Sequence, residues 1–75
     1  MIITVKCTDG LGKTVFVKID DEVMVKDLKK KLGTMINVND HRISLKKDNF
    51  IMRDHVKLSM YQVLDGQAIQ ICYCS

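Results

Sequence analysis

Apolar side chains recur every second residue at both ends of this chain, and a helical spacing appears only once between them. Ile3, Val5 and Cys7 alternate with Ile2, Thr4 and Lys6. Val15, Val17 and Ile19 then alternate with Thr14, Phe16 and Lys18. A period of two marks strands that bury one face. Thr8-Asp9-Gly10-Leu11-Gly12 supplies turn residues, so residues 1–20 are read as a β-hairpin. A second alternating run, Ala68–Tyr73, follows a turn at Asp65-Gly66.

Between the strands, Val25, Leu28, Leu32 and Met35 or Ile36 fall on one helical face. The acids Asp20-Asp21-Glu22 lie ahead of this helix and Lys29, Lys30 and Lys31 towards its end, which suits the macrodipole. Met24 stands where Ser, Thr or Asp is preferred as N-cap. Gly33 costs about 1 kcal/mol relative to alanine on propensity alone. Arg42–Lys46 reads as a strand with Ile43 and Leu45 inward, Lys47-Asp48-Asn49 as a turn, and Phe50–Met52 as a brief fourth strand. Leu58–Val63 forms a helical turn, and the last strand is expected beside the first. This order specifies an α+β fold, the β-grasp: a mixed sheet with one helix packed across it. The predicted core is Ile3, Val5, Val15, Val17, Ile19, Val25, Leu28, Leu32, Ile43, Leu45, Leu58, Tyr61, Val63, Ile69 and Ile71.

With 75 residues the chain makes a single domain, 1–75, near the lower size limit for a core without staples. No apolar run approaches the roughly 18 residues of a membrane span, and no leader pattern precedes the first strand. The net charge of +3 is mild, and the two Tyr and two Phe do not interleave with basic residues, so no direct nucleic acid is expected. Strand parity turns Cys7 inward and Cys72 outward, so the cysteines are read as free thiols. Cys72 and Cys74 form a C-x-C pair, too few ligands for zinc even with His41 and His55 in the chain. Asp54-His55 lacks a third orienting group, so catalysis, metals and cofactors are not expected.

The segment Leu58–Tyr73 resembles the closing part of ubiquitin-like proteins, a helical turn with a tyrosine and then a central strand. Leu11-Gly12-Lys13, Asp27-Leu28-Lys29-Lys30, Ile43-Ser44-Leu45-Lys46-Lys47 and Arg53-Asp54-His55-Val56-Lys57-Leu58 narrow the resemblance to the homologous-to-ubiquitin (Hub) subfamily, also called ubiquitin-like protein five. Each string is short, but their order and spacing agree over nearly the whole chain. The resemblance implies a non-conjugated protein of nucleus and cytoplasm, a monomer that binds short helical elements of spliceosomal proteins. The conjugated alternative, a modifier or sulfur carrier, needs an exposed diglycine; Cys72-Tyr73-Cys74-Ser75 has none. The subfamily pairs an aspartate with an arginine of its partner helix, and Val23 stands at that position here.

Phe16, Lys18, Asp21, Glu22 and Lys29 are the expected partner-binding residues. Phe16 points outward if Val15 and Val17 point inward, and the second strand with the helix is expected to form a groove for a peptide anchor. Tyr61 is read as packing down and bonding loop backbone. Ser44, with Lys6, Lys46 and Gln70 around it, should make the opposite face polar and a poor match for ubiquitin receptors.

Overall fold

The N-terminal alternation becomes two antiparallel strands, β1 (Ile2–Thr8) and β2 (Thr14–Asp20), in register from Ile2 opposite Asp20 to Thr8 opposite Thr14. Asp9 closes their turn, its carboxylate accepting the Leu11 and Lys13 N–H groups at 2.8 and 3.0 Å. In this computed structural model, residues 1–73 are described. The expectations for the tail, including the Cys72–Cys74 pairing, lie outside the described residues where they concern Cys74 and Ser75. Helix α1 (Val25–Ile36) follows, then β3 (Ile43–Lys47), β4 (Phe50–Ile51) and β5 (Ala68–Tyr73). The strand order is β2-β1-β5-β3-β4, with β5 parallel to β1 and antiparallel to β3. This is the mixed sheet with one helix across it that the alternation predicts.

The core lies between α1 and the inner face of the sheet. Val25, Leu28, Leu32 and Ile36 from the helix meet Ile3, Val5, Val17, Ile43, Leu45, Ile69 and Ile71 from the strands. Ile36 takes the inward position, while Met35 is half exposed at 50%. Val15 and Tyr61, expected in the core, are half-buried at its rim. Ile19, Leu58, Val63, Cys7 and Met52 complete it; the Met52 N–H donates to the Leu45 carbonyl at 2.8 Å and so carries the β3–β4 pairing one residue past β4. Burial pushes the Cys7 thiol up to about 11, whereas Cys72 is half-buried opposite Ser44 on the other face. Both are free thiols.

Short turns set the register between layers. Asp48 and Asn49 both have positive φ, 52° and 70°, which makes the two-residue loop joining β3 to β4 compatible with sheet twist. The Asp65 carboxylate accepts the Thr4 N–H at 2.7 Å, and the Gly66 N–H donates to the Thr4 carbonyl at 2.7 Å. These bonds seat β5 beside β1.

The helix starts as expected, with Met24 at its N-cap, and departs from expectation towards its C-terminal end. Its lysines sit in the middle, because α1 continues to Ile36 and its last turn carries no basic residue. It stops instead at Asn37 in the left-handed conformation (φ 60°), with the Val38 N–H reaching back to the Gly33 carbonyl at 2.9 Å. Gly33 is there because of this reversal: a Cβ on it would come within 2.5 Å of the Val38 carbonyl oxygen. Helix propensity alone predicts that Gly33→Ala adds about 1 kcal/mol of stability. The close approach predicts the opposite, a loss of about 1–3 kcal/mol from overpacking. Urea unfolding distinguishes the two, and an unchanged or raised midpoint would contradict the steric reading.

Candidate partner-binding surface

The start of α1 has donors to satisfy and no side chain at Met24 that can do so. The Val25 N–H donates to the Val56 carbonyl at 3.0 Å and the Lys26 N–H to the Asp54 carbonyl at 3.1 Å. The Asp27 carboxylate accepts the Met24 N–H at 3.2 Å, one half of a capping box. The missing cap is thus supplied by loop 53–57, nearly thirty residues further along the chain. The contact runs both ways: Leu58 N–H donates to the Val23 carbonyl at 2.9 Å, and Ser59 N–H to the Asp21 carbonyl at 2.8 Å. Asp54 also accepts a hydrogen bond from the Lys29 ammonium, which holds its carboxyl below the usual range. Asp54 therefore bonds the helix through both its carbonyl and its carboxylate.

This stitch fixes the acidic turn Asp21-Glu22 between β2 and α1. The Asp21 carboxylate, 22% exposed, accepts the Met1 amine at 3.1 Å. Glu22 stands out at 61% exposure and pairs with Lys57 at 3.4 Å. Val23 is half-buried and packs against the core, so the position of the subfamily's aspartate is turned inward here. Behind the turn, the Arg53 N–H donates to the Tyr61 hydroxyl at 2.8 Å, and the Lys47 ammonium bonds the Tyr61 carbonyl at 2.7 Å.

The five sequence-selected residues separate into three places. Asp21 and Glu22 are adjacent on the turn. Phe16 and Lys18 lie on β2, an edge strand, but their side chains point to the face of the sheet away from α1. The expected groove beside the helix therefore does not contain Phe16, because Val17 and Ile19 take the helix-facing positions on that strand. Lys29 is turned to Asp54, its side chain only 14% exposed. Sequence reading missed Lys57 as part of the turn, since its contact with Glu22 follows no local period. The bridge between Met24 and Lys57 that brings Lys57 to the turn spans a long separation.

Among the described residues no cluster of three or more His, Cys, Asp or Glu could hold a metal ion, and no helix is long and apolar enough to cross a membrane. No protein-family model matches the chain. A relative in Drosophila melanogaster, named Ubiquitin-like protein 5, is 35% identical over 72 residues, 96% of this chain and 99% of that one. Ubiquitin-like modifier hub1 of Schizosaccharomyces pombe is also 35% identical with the same coverage. The chain belongs to the Hub1 family of ubiquitin-like proteins. Solved structures agree on the fold. The ubiquitin-like domain of Plasmodium falciparum Dsk2 has a TM-score of 0.88 at 27% identity, covering 95% of this chain and 96% of that one. Caldiarchaeum subterraneum ubiquitin has a TM-score of 0.90 at 14% identity over 100% and 96%. The S. pombe relative is a ubiquitin-like modifier by name; in this chain the stitched turn holds two adjacent carboxylates, Asp21 and Glu22, on a braced backbone.

The Lys29–Asp54 pair makes a pH-dependent contribution. Its carboxylate pKa is lower folded than unfolded, so the stabilisation is present above the ordinary carboxylate range and is lost as pH falls through the depressed value. Asp54→Asn should cost about 0.2–1 kcal/mol near neutrality. It should also flatten the fall in melting temperature as pH drops through and below the ordinary carboxylate range. Parallel pH curves for the two proteins would contradict the pairing.

Proposed function

We propose that this chain is a non-enzymatic, non-conjugated ubiquitin-like protein that binds short helical elements of spliceosomal proteins and modulates pre-mRNA splicing. The end-to-end relationship to the Hub1 family carries the reading. The mechanism is equilibrium binding at the Asp21-Glu22 turn. A partner helix with an exposed arginine lays that side chain against the two carboxylates, displacing Lys57 from Glu22. Lys29 keeps Asp54 in place behind the turn, whereas Phe16 and Lys18, on the sheet face away from α1, take no part in this contact. With Val23 in the aspartate position, each ion pair sits at the rim and contributes only about 0.2–1 kcal/mol. Binding is therefore reversible and suited to assembly and release in nucleus and cytoplasm.

A conjugated modifier or sulfur carrier is the second reading, favoured by the word modifier in the relatives' names. Isopeptide-linked adducts in lysates, seen by mass spectrometry, would establish it.

The binding reading is tested by titrating isotope-labelled protein with a helical, arginine-bearing peptide from a spliceosomal protein and following amide shifts. Shifts should centre on Asp21, Glu22 and Val23. Reversing Asp21 and Glu22 to lysine together should weaken binding by roughly 2- to 30-fold. Shifts confined to Ser44, Lys46 and Gln70 would contradict the assignment.

A further inference from the structure

The sheet has one face covered by α1 and the other bare, and the strand register writes a single row across that bare face. Phe16 on β2 stands directly opposite Lys6 on β1, and Lys6 opposite Ala68 on β5. Two residues on, Gln70 stands opposite Lys46 on β3, and Lys46 opposite Ile51 on β4. Directly opposed residues project to the same side of a sheet. The row therefore reads apolar, lysine, small or amide, lysine, apolar across all five strands.

Its ends are open to solvent, Phe16 at 61% and Ile51 at 62% exposure. Lys18 adds a third positive charge beside Phe16 on β2. Neither Lys6, Lys18 nor Lys46 has an acidic partner among the described residues. Among the described residues the only acid at an outward strand position is Asp20, at the far corner opposite Ile2, and its carboxylate is bonded to the Glu22 N–H and the Met1 amine. Asp48 stands at the rim in the β3–β4 turn. A shallow cavity of about 280 Å³ opens around Thr8, Lys46, Ala68 and Gln70, midway along the row, with Asp48 lining its edge beside Lys46 and leaving Lys6 and Lys18 as the excess charge. The bare face thus carries an unbalanced positive charge between two apolar ends.

We propose that the bare sheet face is a second docking surface, independent of the Asp21-Glu22 turn, for an acidic protein segment with carboxylates in its middle and an apolar side chain at each end. Four strand spacings make the row roughly 20 Å long, which about six extended residues span. The carboxylates neutralise Lys6 and Lys46, one side chain enters the cavity, and the terminal apolar groups cover Phe16 and Ile51. A nucleic acid fits less well. Phe16 is the one aromatic at the outward strand positions and no arginine joins it, whereas single-strand platforms stack successive bases on several rings. The two surfaces have opposite charge, so this chain is built to hold a basic helix and an acidic segment at once.

The probe is a synthetic peptide of about six residues, acidic with leucine at each end, titrated into the full chain by NMR. Amide shifts should follow Phe16, Lys6, Ala68, Gln70, Lys46 and Ile51, and binding should weaken as salt rises. Lys6→Glu with Lys46→Glu should weaken it roughly tenfold. Lys6→Gln with Lys46→Gln gives a milder loss in the same direction should the reversal disturb folding. Reversal at Asp21 and Glu22 should leave this peptide's binding unchanged. No shifts on the face, equal binding of a lysine-substituted peptide, or tighter binding of oligouridylate at the same residues would each overturn the proposal.

Discussion

Four backbone hydrogen bonds between residues 21–26 and 54–59 hold together the part of the molecule where its fold and its proposed function meet. Two satisfy the first N–H groups of α1, and two run back from Leu58 and Ser59 to the carbonyls of Val23 and Asp21. Buried or half-buried helix ends without partners are costly, so this exchange stands in for a cap that Met24 does not supply. The Lys29–Asp54 pair and the Asp27 carboxylate reinforce it with charge. The turn that carries Asp21 and Glu22 is consequently braced by loop 53–57 instead of hanging free between a strand and a helix.

That arrangement explains which parts of the fold were legible in the sequence. β1, β2 and β5 each repeat with period two over several residues, and α1 keeps a stripe at Val25, Leu28 and Leu32, so local pattern and tertiary burial point the same way. Met52 was hidden because β4 has only two residues, too few for a period. Gly33 read as a weak point of the helix, although it marks the close approach of the Val38 carbonyl. The helix start read as poorly capped, since its acceptors come from a distant loop and leave no local trace.

The candidate site was legible only in part. The acids at 21 and 22 stood out by composition, and their adjacency at the helix start follows from chain order. Phe16 was selected as outward-facing, and it is. The choice between the two outward directions depended on where the helix lies, and α1 takes the side of Val17 and Ile19. Charge consequently divides between two surfaces: an acidic turn at the end of β2 and a positive row across the bare sheet. On the open face of this Hub1-family chain, Ser44, Lys46 and Gln70 leave no apolar centre for a receptor to desolvate.

If the exchange of hydrogen bonds between the turn and loop 53–57 braces the site, its amides must open together and rarely. Native-state hydrogen exchange on the isotope-labelled chain measures this directly. The N–H groups of Val25, Lys26, Leu58 and Ser59 should be protected and should share one opening free energy, close to that of the core helix amides. Fast, independent exchange at Val25 and Lys26 while Leu28 and Leu32 stay protected would contradict it, and would leave the acidic turn as a frayed end of the helix.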